Sequence, residues 1–288
     1  MMLNKPADLN EKPDDGNVGF FGPGSHLWLN HQYMIRAIGY PVAVIIIATN
    51  PVVFEIISSY IKTPKALKER LSITRQYSFA FVFGDKHSAL KASNALRIAH
   101  QKIKYAISGN LRSPLEPDLM LWVFAALYYT SKKMNELLLM NIPFNEKTYE
   151  EYKILGQLYG ISEQHLPQTM ESFEQYWHKI LNEHLVVTEE SRAYVNSKLQ
   201  LSVIDIFLSQ RFPAKLRFIF KPVDHFIRIF CIYFVPQQIA DAFDLHLSPW
   251  QRASMKYILK CVRRIHGVLP KRFTTEKRVR LLGNDEID

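Results

Sequence analysis

The residue whose type and setting most demand chemistry is His100. It lies in the run Lys86-His-Ser-Ala-Leu-Lys-Ala-Ser-Asn-Ala-Leu-Arg-Ile-Ala-His-Gln-Lys-Ile-Lys-Tyr-Ala-Ile107. Leu96 stands four residues before it, and Ile103 and Ile107 three and seven after, so all four share one stripe of a 3.6-residue period. Lys91 and Lys102 fall on the opposite side, with Arg97 and Lys104 at the stripe's edge. An imidazole on a buried stripe must hydrogen-bond, titrate or bind a ligand, because leaving it unpaired costs about 1–3 kcal/mol. It is either a core histidine bonded to a backbone carbonyl or a ligand-binding one. Arg70 and Thr74, four apart, form a second constellation on one helix face with Tyr77 and Phe81. The pair either works on a bound group or is inert, the arginine snorkelling at a helix end and the threonine bonding back to its own helix.

These residues need elements to hold them, and the pattern is helical. Eleven glycines are few for 288 residues, alternation of strand type is scarce, and most segments read as amphipathic helices broken by prolines. Trp28 to Gly39 reads as one helix, and Val42–Thr49 and Val52–Ile61 as two halves around Pro51. Pro64 sits in the first turn of the helix carrying Arg70 and Thr74, which runs toward Phe83. Gly84-Asp85 breaks the chain, and Asp85 caps the His100 helix. Residues 108–117 read as a loop, after which Glu116 or Asp118 opens a helix through Trp122 to Asn141. Asn145 caps the next helix, Gly160 stops it, and Thr169–His184 and Ser191–Ser209 follow. Ser248-Pro249 opens a helix to about Ile265. The expectation is a mainly α, single-domain helical bundle over 19–280, with a disordered arm at 1–18 and a tail at 281–288. Trp122, Phe124, Tyr128 and Tyr129, on one helix, are either core or pocket wall.

Composition narrows the function classes. Nearly half the chain is apolar and 12% is aromatic, enough for a sizeable core. Cys231 and Cys261 make neither a disulfide framework nor a metal-ligand spacing and read as core thiols. Residues 1–18 are polar and lack the apolar region of a secretory signal. The most apolar run, Tyr40 to Phe54, is interrupted by Asn50-Pro51 and falls short of the roughly 20 residues a membrane span requires. The net charge of +9 and a pI near 9.4 come from basic residues scattered over helix faces, with no nucleic-acid module among them. The densest cluster, Arg263 to Arg280, holds seven Lys/Arg against one Glu and suits a peripheral contact with anionic membrane.

Three stretches together resemble a known family, the haem-dependent oxygenases that include rubber oxygenase (latex clearing protein) and the endoplasmic-reticulum oxygenase of mycophenolic acid biosynthesis. The first is Arg70-Leu71-Ser72-Ile73-Thr74, then Phe83-Gly84-Asp85, then the helix bearing His100. The second is Glu116-Pro117-Asp118-Leu-Met-Leu-Trp122-Val-Phe-Ala-Ala-Leu127, with Glu116 where the family has aspartate. The third runs from Val235-Pro236 to Leu269-Pro270-Lys271-Arg272, its last spacing one residue short. In order and spacing these cover most of residues 30–275.

The resemblance implies haem b, non-covalent because Cys261-Val-Arg-Arg-Ile-His266 lacks the second cysteine of a c-type attachment site, with His100 as iron ligand. It places Arg70 and Thr74 beside the haem, where Arg70 would pair with a propionate or an oxygen-derived anion and Thr74 would donate to bound oxygen. Rubber oxygenases use a glutamate base upstream of the arginine, for which Glu55 lies at about the right distance. Two positions depart from the pattern: Ile73 replaces the lysine before the threonine, and Asn50-Pro51 replaces a histidine-proline. These departures leave the haem site in place and argue against rubber cleavage itself. The implied function is oxidation of an apolar substrate, unsaturated ones included, by dioxygen or peroxide, in a cytoplasmic or peripherally membrane-associated protein without a nucleic-acid partner. Two other classes remain open: a haem-binding protein without turnover, and a haem-free helical interaction protein at a membrane surface.

Overall fold

The computed structural model describes residues 19–60, 63–103, 105–107, 110–200, 221–277 and 279; the expected N-terminal arm and C-terminal tail lie outside them. Its helices begin and end where capping chemistry says they should. α1 (His26–His31) is capped by Ser25, which accepts from Trp28 N. α2 (Tyr40–Ile47) and α3 (Pro51–Tyr60) are separated at Asn50, whose side chain accepts from Val53 N at 3.0 Å. Thr63 caps α4 (Pro64–Phe83), and Asp85 caps α5 (Lys86–Gln101) through Ser88 N at 2.6 Å. Gly84 lets the chain turn between them, and α4 and α5 pack together as a hairpin.

Three segments differ from the sequence expectation. Trp28 to Gly39 is not one helix: α1 ends at His31, and Tyr33 is extended and bridged to Thr275. A 3-10 turn, Met34–Gly39, then leads into α2. The long-range bridge, with Glu276 N donating to Gln32 O at 2.9 Å, captures backbone groups that a continuous helix would have used internally. Residues 105–112, partly read as loop, hold a small antiparallel pair, β1 (Tyr105–Ile107) with β2 (Asn110–Arg112), Tyr105 facing Arg112. α6 (Pro117–Met134) ends short of Asn141 in a wide turn, Asn135–Leu139, and a left-handed Met140. The buried Asn135 side chain makes this exit, donating to Ile142 O at 2.7 Å and accepting from Asn141 N.

α7 (Glu146–Tyr159) is capped by Asn145 and closed by Gly160 at φ 104°, a conformation only glycine adopts without strain. α8 (Met170–Glu183), α9 (Glu189–Gln200) and the helices Lys221–Phe234 and Pro249–Val268 complete the described bundle. One hydrophobic core runs through it. Gly39 lets α2 approach α6 closely, since a Cβ there would stand 3.0 Å from Thr130. Tyr128 is fully buried, with its ring edge-on to Phe173 and Tyr152, and Trp122 stacks on Trp177. Trp122 is therefore core, whereas Phe124 and Tyr128, equally buried, also face open space.

Candidate active site

Between α2, α3, α4, α5 and α6 lies a cavity of about 470 Å³, within the range usual for small-molecule sites. Its wall is mostly aliphatic and aromatic, from residues such as Ile47, Ile56, Leu96, Val123 and Leu127. The polar groups come chiefly from two helices. α4 turns Arg70, Thr74 and Tyr77 into the cavity, one turn apart along a single face, and α5 brings His100 from its last turn. The two constellations legible in the sequence thus meet in one place.

His100 lies deep in the fold yet keeps some accessible surface, because that surface faces the cavity. It makes no hydrogen bond among the described residues, and its Nδ1 is buried without a partner, which removes the reading of a core histidine bonded to a carbonyl. Burial, with the nearby Arg70 cation, pushes its pKa down to about 4. At neutral pH it is an uncharged imidazole with a lone pair to offer. Arg70 is likewise deep, and burial pulls its guanidinium below the ordinary value while leaving it cationic. No carboxylate is paired with Arg70 among the described residues, and Thr74 does not bond back to its own helix. Burial raises the Tyr77 phenol and Arg70 opposes the shift, so Tyr77 stays protonated at neutral pH.

Glu55 is half-buried on α3 and is not among the residues that line the cavity. The carboxylate that does line it is Glu69, beside Arg70 on α4, which the sequence reading passed over. Tyr40, Tyr159 and Tyr194 were missed as well. Glu69 was legible in principle, since a cavity wide enough for a ligand takes in more of a helix than one narrow stripe. Ile73, at the position of the family's lysine, lines the cavity as apolar wall, whereas Asn50 is spent on capping α3. Among the described residues no three His, Cys, Asp or Glu side chains gather as a metal cluster, and His100 is the one imidazole or thiol lining this cavity. A lone neutral imidazole is a poor cage for a bare metal ion but is the donor set of a haem iron, whose porphyrin supplies the equatorial nitrogens.

The described helices thus present one such imidazole, an arginine and a threonine to a mostly apolar cavity. The family model described as "ER-bound oxygenase mpaB/B'/Rubber oxygenase, catalytic domain" matches residues 28–268, and the chain belongs to that family. No curated protein and no solved structure matches the chain.

Proposed function

We propose that the protein is a haem b-dependent oxygenase that oxidises an apolar substrate with dioxygen or peroxide. The observation that carries the proposal is His100, a neutral imidazole with no hydrogen-bond partner among the described residues, facing an apolar cavity of about 470 Å³. Haem, when bound, supplies the redox chemistry, and the protein supplies ligation, orientation and a dry pocket. His100 would hold the iron. Arg70 places a fixed cation beside it, able to pair with a propionate or with negative charge developing on oxygen. Thr74 offers one hydroxyl proton into the same space. Two carboxylates are candidates for proton abstraction: Glu55 by resemblance, and Glu69 because it lines the cavity. The aliphatic wall excludes water and favours substrates without charge, alkenes and lipid-like chains among them.

The test begins with an absorption spectrum. Protein expressed with adequate iron and haem precursor should show a Soret band, and its pyridine haemochrome should be that of haem b. His100→Ala should abolish the band and leave helical circular dichroism intact. A colourless wild type that does not take up added haem would overturn the proposal. Ile73, apolar where relatives carry lysine, favours a second reading, a haem protein without turnover. Oxygen consumption with an apolar alkene or lipid separates the two.

A further inference from the structure

A second cavity, of about 110 Å³, meets a different face of α4 through Arg75, Ser78 and Phe79. Tyr40, Ala43, Phe124, Leu127 and Tyr159 line both cavities and form the partition between them. The chemistry on this side is of the opposite kind. Arg36, in the turn Met34–Gly39, donates from Nη2 to Ser131 Oγ at 2.5 Å, while its Nε and Nη1 are buried without a hydrogen-bond partner. The Tyr128 hydroxyl is buried and unpartnered too. The Tyr152 hydroxyl faces Arg36, Ser131 and Asn30. Burial raises the phenols of Tyr40 and Tyr152, which keeps them as O–H donors. Burial, and next the Arg36 charge, hold His31 uncharged, with its ring nitrogen Nδ1 at 2.9 Å from Leu27 O.

Charge is the decisive feature. The carboxylate among the described lining residues, Glu276, gives both oxygens to Arg75, each at 2.5 Å. Arg75 is 60% exposed, so that pair stands on the solvent side of the cavity. Arg36 is left as a cation surrounded by hydroxyl donors and without an anion. The residue as a whole is half-buried, but two of its guanidinium nitrogens are buried without a partner, and a charge left uncompensated in such a place is costly. We propose that this cavity binds a carboxylate, with Arg36 as its counter-cation and the hydroxyls of Tyr40, Tyr128, Tyr152 and Ser131 as further donors. Its size suits a small monocarboxylate or a carboxylate head with a few carbons. Such a group has two sources: a free acid from solution, or a propionate arm of a haem in the neighbouring cavity. Only the second source rests on the haem proposal.

The experiment follows thermal unfolding of the full chain, as purified and haem-free, with sodium propionate or butyrate against sodium chloride at equal ionic strength. The wild type should show a saturable rise of several degrees at about a hundredfold excess over Kd. Arg36→Met keeps the stem and removes the charge; it should fold, because it deletes an unpaired buried cation, and its response to propionate should vanish. Tyr128→Phe should weaken the apparent propionate affinity about two- to tenfold, one neutral hydrogen bond's worth. A free acid is the source if propionate raises both forms and Arg36→Met loads haem normally. A haem propionate is the source if only the haem-free form responds and Arg36→Met binds haem more weakly. No rise beyond chloride in either form, or an equal rise in Arg36→Met, overturns the proposal.

Discussion

Protonating His100 should cost the folded protein measurably, and the cost can be worked from its surroundings. Burial and Arg70 lower its pKa from an ordinary 6.5 to about 4. The unfolded chain therefore takes up this proton first as pH falls. Stability from this group is fully present above pH 6.5, declines as pH falls from 6.5 toward 4, and is flat below that. The full difference is about 3 kcal/mol, of which about 2 kcal/mol has been lost by pH 5. For a chain of this size that is a fall in Tm of roughly 3 °C between pH 7 and pH 5. His31, pushed down by its own burial, adds a fall of its own in the same direction, so the wild-type curve alone decides nothing. The assay compares haem-free wild type with His100→Gln, which keeps polarity and approximate volume without titrating. Between pH 7 and pH 5 the wild type should lose roughly 3 °C more than the variant. Parallel curves would refute the reasoning, because they would mean that His100 is solvated or paired and free to protonate in the folded state.

Arg70→Ala distinguishes the two tasks open to that cation. If Arg70 holds a propionate, the variant purifies partly empty; if it stabilises charge on oxygen, haem loading stays normal and the oxygen complex decays about ten- to a hundredfold faster. Thr74→Val should spare loading and change oxygen-complex lifetime or turnover more mildly, as stopped-flow spectroscopy would read. On the helix Pro249–Val268, Trp250 is 78% and Tyr257 70% exposed, among Lys256, Lys260, Arg263 and Arg264. Sedimentation with anionic vesicles should therefore pull the protein down at low salt and release it at high salt, and Trp250→Ser with Tyr257→Ser should weaken the association. Retention through both salt and alkaline washes would refute a peripheral contact; no described helix is long and apolar enough to cross a membrane. Gly160→Ala should cost about 1–2 kcal/mol, because Gly160 sits at φ 104°, and circular dichroism melting would show the lowered Tm.

What was legible in the sequence is what local chemistry writes there. Asp85, Asn145 and Ser248 each accept from the backbone N–H three residues on, as their place before a helical run implied. Leu96 with His100 on α5 and the Arg70–Thr74 face were legible for the same reason, since a helix fixes which side chains lie together before any tertiary contact forms. The expected stripe is shorter than its period suggested: α5 ends at Gln101, so Ile103 lies past it and Ile107 belongs to β1. The misreadings have long-range causes. Nothing near Tyr33 says that Thr275 will bridge to it, and nothing near Met134 says that Asn135 will turn its side chain inward to bind Ile142 O. Such contacts join segments that propensity treats separately, and they override it wherever they satisfy buried backbone groups.

The candidate site shows the same limit in a sharper form. Periodicity says that His100 and Leu96 face inward; it does not say whether other side chains or empty space meets them there. In this fold Leu96, Ile103 and His100 meet a cavity, and α4 comes alongside with Arg70 and Thr74 turned into the same space. A histidine filling a core would be expected to spend at least one ring nitrogen on a carbonyl, as His31 does on Leu27 O. His100 spends none among the described residues. Leaving a buried imidazole unpaired, beside a buried cation that lowers its basicity further, opposes folding and gives no packing in return. The arrangement becomes favourable once an electron-pair acceptor occupies the cavity, because ligation uses the lone pair that burial has kept free of a proton.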